Sequence, residues 1–111
     1  FVCAPSVLQQ GVVGALGVDM SAHLSEYRRK RDMICDGLEG KYRFSRPKGA
    51  FYIFPEAPGG NGSAFTQRAI AKKLILVPGS VFSERDTHFR ISFAAADHTL
   101  QRGIEALRSL A

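Results

Sequence analysis

The sequence predicts a single α+β domain with helices packed on a small, mostly antiparallel sheet. Its 111 residues, 45% hydrophobic and 23% charged, are ordinary for one globular domain. The predicted secondary-structure elements follow one another in the order helix, helix, strand, strand, helix, strand, strand, helix. The stretch 89–94 also alternates apolar and small or charged residues, which is typical of a strand with one buried face.

Two helices open the predicted fold. Ser6 is expected to cap the first helix in a capping box with Gln9, and the helix should end near Gly17. Its glycines permit close packing on another surface, in a domain outside this chain. The second helix should run over 21–38 with an inner stripe, and Gly40 should stop it. The expected stripe is Leu24, Tyr27, Ile34 and Leu38.

The middle of the chain predicts two strands, 42–45 and 50–54, joined by a turn at Pro47 and Gly49. The second of these strands is apolar on both faces. It should therefore lie centrally and be covered twice, or lie against something absent from the chain.

The last part predicts a helix from its cap Ser63 to Lys73, then a strand over 74–77. After the strand 89–94, Asp97 should cap a final helix. The apolar side of that helix is predicted to be Leu100, Ile104, Leu107 and Ala111.

Arg90 is the candidate binding residue in the strand 89–94. Period two sends Phe89, Ile91 and Phe93 to the core and Arg90 to the other face, beside small residues only. An open space next to the guanidinium would accept a planar carboxylate bidentately. The alternative, a solvated arginine on the outer face of the sheet, stays open at this point.

Other features argue against several classes of function. The net charge is +5, but the basic run 28–31 alternates with Glu26 and Asp32, so we expect a solvated helix face and no nucleic-acid partner. No apolar run approaches the ~20 residues of a membrane span. Cys3 and Cys35 lack metal spacing and are expected to be reduced thiols of a cytoplasmic protein. The isolated His23 and His98 are not expected to bind metal.

Three motifs in order resemble a known family. They are Cys3-Ala4-Pro5-Ser6 with Gln9 and Gln10, Pro47-Lys48-Gly49-Ala50-Phe51-Tyr52, and Val77-Pro78-Gly79 with Phe82 followed by 89–94. Together with the closing helix they resemble the C-terminal small domain of pyridoxal-phosphate-dependent class I/II aminotransferases of fold type I. The resemblance covers essentially the whole chain.

The resemblance implies that residues 1–111 are the small domain of a longer enzyme, whose large cofactor-binding domain is absent from this chain. That enzyme would be a homodimer that transfers an amino group between an amino acid and a 2-oxo acid. Arg90 would bind the substrate carboxylate, and Phe51 would be either a wall of the substrate pocket or plain core. The domain would also close the site.

The family's Schiff-base lysine, phosphate-binding groups and pyridine-pairing aspartate lie upstream of the matched part. The resemblance therefore places no catalytic or cofactor-binding residue here, and the chain alone should be inactive. Phe82-Ser83 stands where many relatives have phenylalanine-glycine, which questions the conformation of that turn. Two alternatives remain, namely a fragment of a related pyridoxal-phosphate lyase or synthase, and a stand-alone α+β module that uses Arg90 to bind an anion.

Overall fold

The computed structural model describes residues 3–111 and has the predicted α+β architecture. Within these residues the helices are α1 (Ser6–Ala15), α2 (Ser21–Leu38), α3 (Gly62–Ala71) and α4 (Asp97–Arg108). The strands are β1 (Tyr52–Ile53), β2 (Val77–Pro78) and β3 (Phe89–Ser92). Two short 3-10 turns, Pro58–Gly60 and Gly79–Val81, precede α3 and follow β2.

The sheet has the order β1-β3-β2, and both pairings are antiparallel. Tyr52 is paired with Ser92, and Val77 is paired with Arg90. The strand that carries Arg90 is therefore central, with one short strand on each side.

The core lies on one face of this sheet, which we call the inner face. Ile53, Phe89, Ile91 and Phe93 are buried there. They pack in one cluster with side chains from the helices, among them Ile34, Leu38, Phe65, Ala69, Leu100 and Leu107. The rings of Phe65 and Phe89 lie 4.5 Å apart. Burial of these large apolar side chains is the main stabilising contribution to the fold.

Helix α2 has the predicted bounds, and Gly40 follows it with φ of +73°. The predicted inner stripe holds only for its second half, because Leu24 is 54% exposed. Arg29 contacts Asp97 at the start of α4, whereas Arg108 at the end of α4 donates to the carbonyl of Gly37. The two helices therefore run side by side in the same direction, and the first turns of α2 extend beyond α4.

Helix α1 buries none of its residues, and Val7 is 81% exposed. The predicted capping box is wrong. Pro5 is the N-cap, and its carbonyl accepts the backbone N–H groups of Leu8 and Gln9. Ser6 lies inside the helix, and the side chain of Gln9 donates to the carbonyl of Ala4. Proline has its φ fixed by its ring, and Pro5 holds the N-cap position. Ser6 is therefore already the first residue of the helix and cannot cap it.

Three strand predictions need correction. Residues 42–45 form no strand, although the N–H of Glu56 donates to the carbonyl of Arg43 at 2.9 Å. Strand β1 is shorter than predicted because Ala50 has φ of +57°, and Pro55 has no N–H to donate. It lies at the edge of the sheet, so the first alternative, a central strand, is wrong, and packing against something absent from the chain stays a prediction. Strand β2 starts at Val77 instead of Leu74.

The predicted helix caps Ser63 and Asp97 are also wrong. Asn61 caps α3, and its side-chain oxygen accepts from the N–H of Ala64 at 2.8 Å. The N–H of Ser63 instead donates to the carboxylate of Asp86. Asp97 is the first residue of α4 and pairs with Arg29, while Ala96 holds the cap position. Helix α3 ends at Ala71, ahead of Lys73, whose φ is +59°.

Candidate functional site

Arg90 lies on the outer face of the sheet, as the alternation predicts. Its neighbours Phe89 and Ile91 are buried, Arg90 is half-buried, and Ser92 is exposed. Within residues 3–111 no carboxylate oxygen comes within 4.0 Å of the Arg90 guanidinium. The charge therefore has no counter-ion in the part of the chain that is described.

Two aromatic rings contact this guanidinium. Its Cζ atom lies 4.2 Å from the ring centroid of Tyr52 and 4.4 Å from that of Phe82. We refer to Tyr52 and Phe82 as the aromatic clamp. The small neighbours along β3 suggested open space around Arg90, but side chains from outside β3 occupy two of its sides. An attraction between a cation and a ring face holds the guanidinium there.

The clamp is assembled by the strands on either side of β3. Tyr52 comes from β1, and Phe82 follows β2 after the 3-10 turn Gly79–Val81. That turn is fixed to the sheet because the N–H of Gly79 donates to the carbonyl of His88 at 2.7 Å. Ser83 continues the turn, with its N–H on the carbonyl of Gly79, and its φ is not positive. Serine at this position therefore costs the turn nothing.

Other rings support the clamp. Phe54 contacts Phe82 edge-on, with centroids 6.2 Å apart, and it stacks on His88 at 5.1 Å. Phe51 lies 4.3 Å from Tyr52. The outer face is thus an aromatic surface around the positive charge of Arg90.

A cleft of about 470 Å³ adjoins the clamp at the free edge of β1. Residues 51, 53 and 55 face β3, so the backbone groups of Tyr52 and Phe54 point away from β3, toward this edge. Arg43 lies opposite, 3.5 Å from Glu56. The lining residues are Arg43, Phe44, Ser45, Pro47, Tyr52, Ile53, Phe54, Glu56 and His88.

Phe51 is 39% exposed, and its ring lies 6.2 Å from that of Tyr27. Tyr52 contacts both Phe51 and Arg90, so it links the two residues that the sequence singled out. Phe51 does not line the cleft beside the clamp. Its role as a pocket wall stays a prediction.

Sequence reasoning missed the contacts of Tyr52 and Phe82 with Arg90, although both residues belong to the motifs that indicated the family. The alternation along β3 identifies which residues share a face but not which rings lie on the neighbouring strands. The pairing of the strands around Arg90, which the structure shows, brings one aromatic residue from each side.

Three residues of the basic run on α2 make polar contacts within the domain. Arg29 pairs with Glu26 and Asp97, and Glu26, followed by Asp97, raises the pKa of Arg29. Lys30 donates to the carbonyl of Ala95, and Arg31 pairs with Asp32. In the described part of the chain, His, Cys, Asp and Glu form no group of three able to hold a metal. Cys3 and Cys35 are free thiols.

No helix within residues 3–111 is long and apolar enough to cross a membrane. The described part of the molecule is thus a small α+β domain with one aromatic face around an arginine.

Comparison with known proteins places this domain in a family. The family described as aminotransferase class I and II matches residues 1–107. The chain is 29% identical to a probable aspartate aminotransferase of Methanocaldococcus jannaschii, over 99% of this chain and 31% of that protein. It is 31% identical to a bifunctional aspartate and glutamate/aspartate-prephenate aminotransferase of Petunia hybrida, over 95% of this chain and 26% of that protein.

Solved structures agree with this assignment. The aspartate aminotransferase of Thermotoga maritima superposes with a TM-score of 0.86 at 29% identity, over 96% of this chain and 28% of that chain. An aminotransferase of Eubacterium rectale gives 0.84 at 27% identity, over 99% of this chain and 27% of that chain. The chain belongs to the class I and II aminotransferases. It spans about a quarter to a third of the length of these relatives.

Proposed function

We propose that this chain is the C-terminal small domain of a longer pyridoxal-phosphate-dependent aminotransferase, in which Arg90 binds the carboxylate of the substrate. The substrates would be an amino acid and a 2-oxo acid. The observation that carries the proposal is the half-buried guanidinium of Arg90, which has no carboxylate partner within residues 3–111. A cation in that state retains its full attraction for an added anion.

The cofactor requires residues that this chain does not bring together. The five lysines are Lys30, Lys41, Lys48, Lys72 and Lys73, and none of them lines the cleft beside the clamp. Lys30 is occupied with the carbonyl of Ala95. The residues present therefore do not fit pyridoxal phosphate by themselves. We infer that the rest of the enzyme holds the cofactor and that residues 1–111 alone do not transaminate.

The contribution of this domain would be orientation of the substrate. A planar guanidinium fork binds a carboxylate in one orientation, and orientation of the reacting group is a large part of catalysis. Closure of the domain over the site and assembly into a homodimer belong to the same proposal. The similar proteins named above are all described as aminotransferases, which favours this reaction over that of a lyase or synthase.

The test is substitution of Arg90 in the full-length enzyme. Arg90→Ala removes both hydrogen bonds and the charge, and loss of one partner of a desolvated ion pair costs ~3–5 kcal/mol. We expect kcat/KM to fall by roughly two to four decades. Arg90→Lys should restore only part, because lysine keeps the charge but loses the planar fork.

Arg68 offers a matched control. Its guanidinium also lies over a ring, 5.5 Å from the centroid of Phe65, but on α3 and away from the outer face. Arg68→Ala should leave kcat/KM within about twofold, in the range typical of surface substitutions. Cofactor binding, measured from its visible absorbance, should survive all three substitutions. Wild-type turnover by a folded Arg90→Ala enzyme would refute the assignment.

A further inference from the structure

We propose that Tyr52 and Phe82 are positioning residues, which fix the guanidinium of Arg90 in the orientation that receives the substrate carboxylate. The inference rests on the proposed role of Arg90. Its basis is the pair of ring contacts, 4.2 Å to Tyr52 and 4.4 Å to Phe82, at a cation with no carboxylate partner within residues 3–111.

The comparison with Arg29 shows why rings suit this task. Arg29 is held by the carboxylates of Glu26 and Asp97, which also neutralise it. A ligand carboxylate would have to compete with both of them. Aromatic rings attract a cation through their quadrupole but carry no net charge. The clamp therefore restrains Arg90 and leaves its whole positive charge for a ligand.

The clamp is itself held in place from both sides. Phe54 contacts Phe82 edge-on and stacks on His88, while Phe51 packs on Tyr52 at 4.3 Å. A long arginine side chain has many rotamers in solution, and fixing them upon binding costs free energy. Here the neighbouring rings restrict Arg90 before the ligand arrives. Loss of one clamp ring should therefore weaken ligand binding much more than it slows the chemical step.

The first experiment tests the clamp without using the activity. A proton held over an aromatic ring resonates upfield of its random-coil position. In NMR spectra of the 111-residue chain, the side-chain protons of Arg90 should be shifted upfield. The shift should decrease in Phe82→Leu and in Tyr52→Leu, and it should persist in Tyr27→Leu. Tyr27 is the matched control because its ring packs on Phe51 and not on Arg90. Random-coil positions for Arg90 would overturn the proposal.

The second experiment uses the full-length enzyme and separates KM from kcat. Phe82→Leu and Tyr52→Leu should each raise KM for the amino acid about threefold to tenfold, with kcat within about twofold. Phe82→Tyr and Tyr52→Phe keep a ring and should stay within about twofold of the wild-type KM. A purely structural role predicts instead a loss of active enzyme at unchanged KM, and that outcome would overturn the proposal.

A third variant keeps the shape of the ring and covers the case in which the leucine variants do not fold. Pentafluorophenylalanine at position 82 reverses the ring quadrupole, so KM should rise about as far as in Phe82→Leu. An unchanged KM for this variant would contradict a cation–ring contact.

The Arg90→Ala enzyme distinguishes the proposal for Arg90 from the proposal for the aromatic clamp. If it is inactive while the ring variants keep the wild-type KM, only the clamp is wrong; if it is fully active, the role of Arg90 is wrong.

Discussion

The two faces of the central strand β3 show how neighbouring residues can serve different purposes. On the inner face Phe89 is fully buried among the rings of Tyr42 and Phe65. On the outer face Arg90 keeps its charge between rings and has no counter-ion within residues 3–111. The inner face stabilises the fold, and the outer face carries the charge to which we assign the binding of a ligand. Stability and ligand binding should therefore be separable by substitutions at adjacent positions.

The largest expected effect on stability is at Phe89. Phe89→Ala should lower the free energy of unfolding by ~3–5 kcal/mol, because it removes a buried ring and leaves a cavity. Phe54→Ala removes the same atoms from the outer face, where the side chain is 41% exposed, and should cost at most about 1 kcal/mol. Urea unfolding of both variants measures the difference. An equal loss of unfolding free energy in Phe89→Ala and Phe54→Ala would contradict the distinction between the two faces.

A smaller effect is expected from the hydroxyl group of Tyr42, whose ring packs edge-on against Phe89. The hydroxyl donates to the carbonyl of Leu107 at 2.7 Å in the interior. Tyr42→Phe should lower the free energy of unfolding by ~1 kcal/mol, the usual net value of one hydrogen bond. Thermal unfolding at neutral pH provides the measurement, with Tyr27→Phe on the exposed part of α2 as the control.

The same residue gives a pH dependence. Burial raises the pKa of Tyr42 from 10.0 to about 12. The folded state thus holds this proton more tightly than the unfolded state does. Its contribution to stability is complete below pH ~10 and is lost as the pH rises from there toward about 12. Tyr42→Phe should lose less stability than the wild type over that interval. If the stability of the wild type and of Tyr42→Phe fell in parallel as the pH rises, the result would contradict the buried position of the hydroxyl group.

The smallest effect is expected at Asp86, in the turn between Phe82 and Arg90. Its carboxylate accepts from the N–H of Ser63 at the start of α3, and hydrogen bonding from Ser63 lowers the pKa of Asp86. A lowered pKa in the folded state adds stability above the ordinary aspartate pKa, and this stability is lost as the pH falls below it.

Asp86→Asn should therefore flatten the loss of stability as the pH falls below the ordinary aspartate value of 3.8, where the wild-type chain becomes less stable. Chemical unfolding at several acidic pH values compares the two. Asp36→Asn controls for the general loss of a surface carboxylate, because that side chain pairs with Arg46 and not with Ser63. An equal acid response of the Asp86 and Asp36 variants would count against the role of the turn.

The sequence predicted the elements whose signal is periodic. The bounds of α2, the alternation in β3 and the burial of Leu100 and Leu107 on α4 agree with the structure, because burial of one face is set by the spacing of apolar residues. The prediction for Ala111 was wrong, because it is exposed and lies beyond the end of α4 at Arg108. The predicted caps Ser6, Ser63 and Asp97 failed. Several residues near each helix start have suitable side chains, and tertiary contacts decide which of them caps.

The candidate site was predicted in part for a related reason. Arg90 was identified from the alternation along its own strand. Its neighbours on the same face of that strand, Ser92 and Ala94, are small, as the sequence indicates. The rings around Arg90 belong to Tyr52 and Phe82, which lie 38 and 8 positions before it in the chain. Their placement beside Arg90 depends on the strand order β1-β3-β2. Strand order is a long-range property that a local pattern does not contain. Residues 42–45 form no strand although they lie beside the segment after β1, because the hydrogen bond from Glu56 to Arg43 is not continued into a ladder.

Helix α1 also determines how the molecule moves through solvent. A compact domain of this length has a radius of gyration of ~13 Å. The chain has 17.1 Å and principal extents of 49 × 33 × 24 Å. Since α1 buries none of its residues, it lengthens the particle without enlarging the core. Translational friction therefore exceeds that of a sphere of the same mass, and the sedimentation coefficient of the free chain reports directly whether α1 is docked or extended.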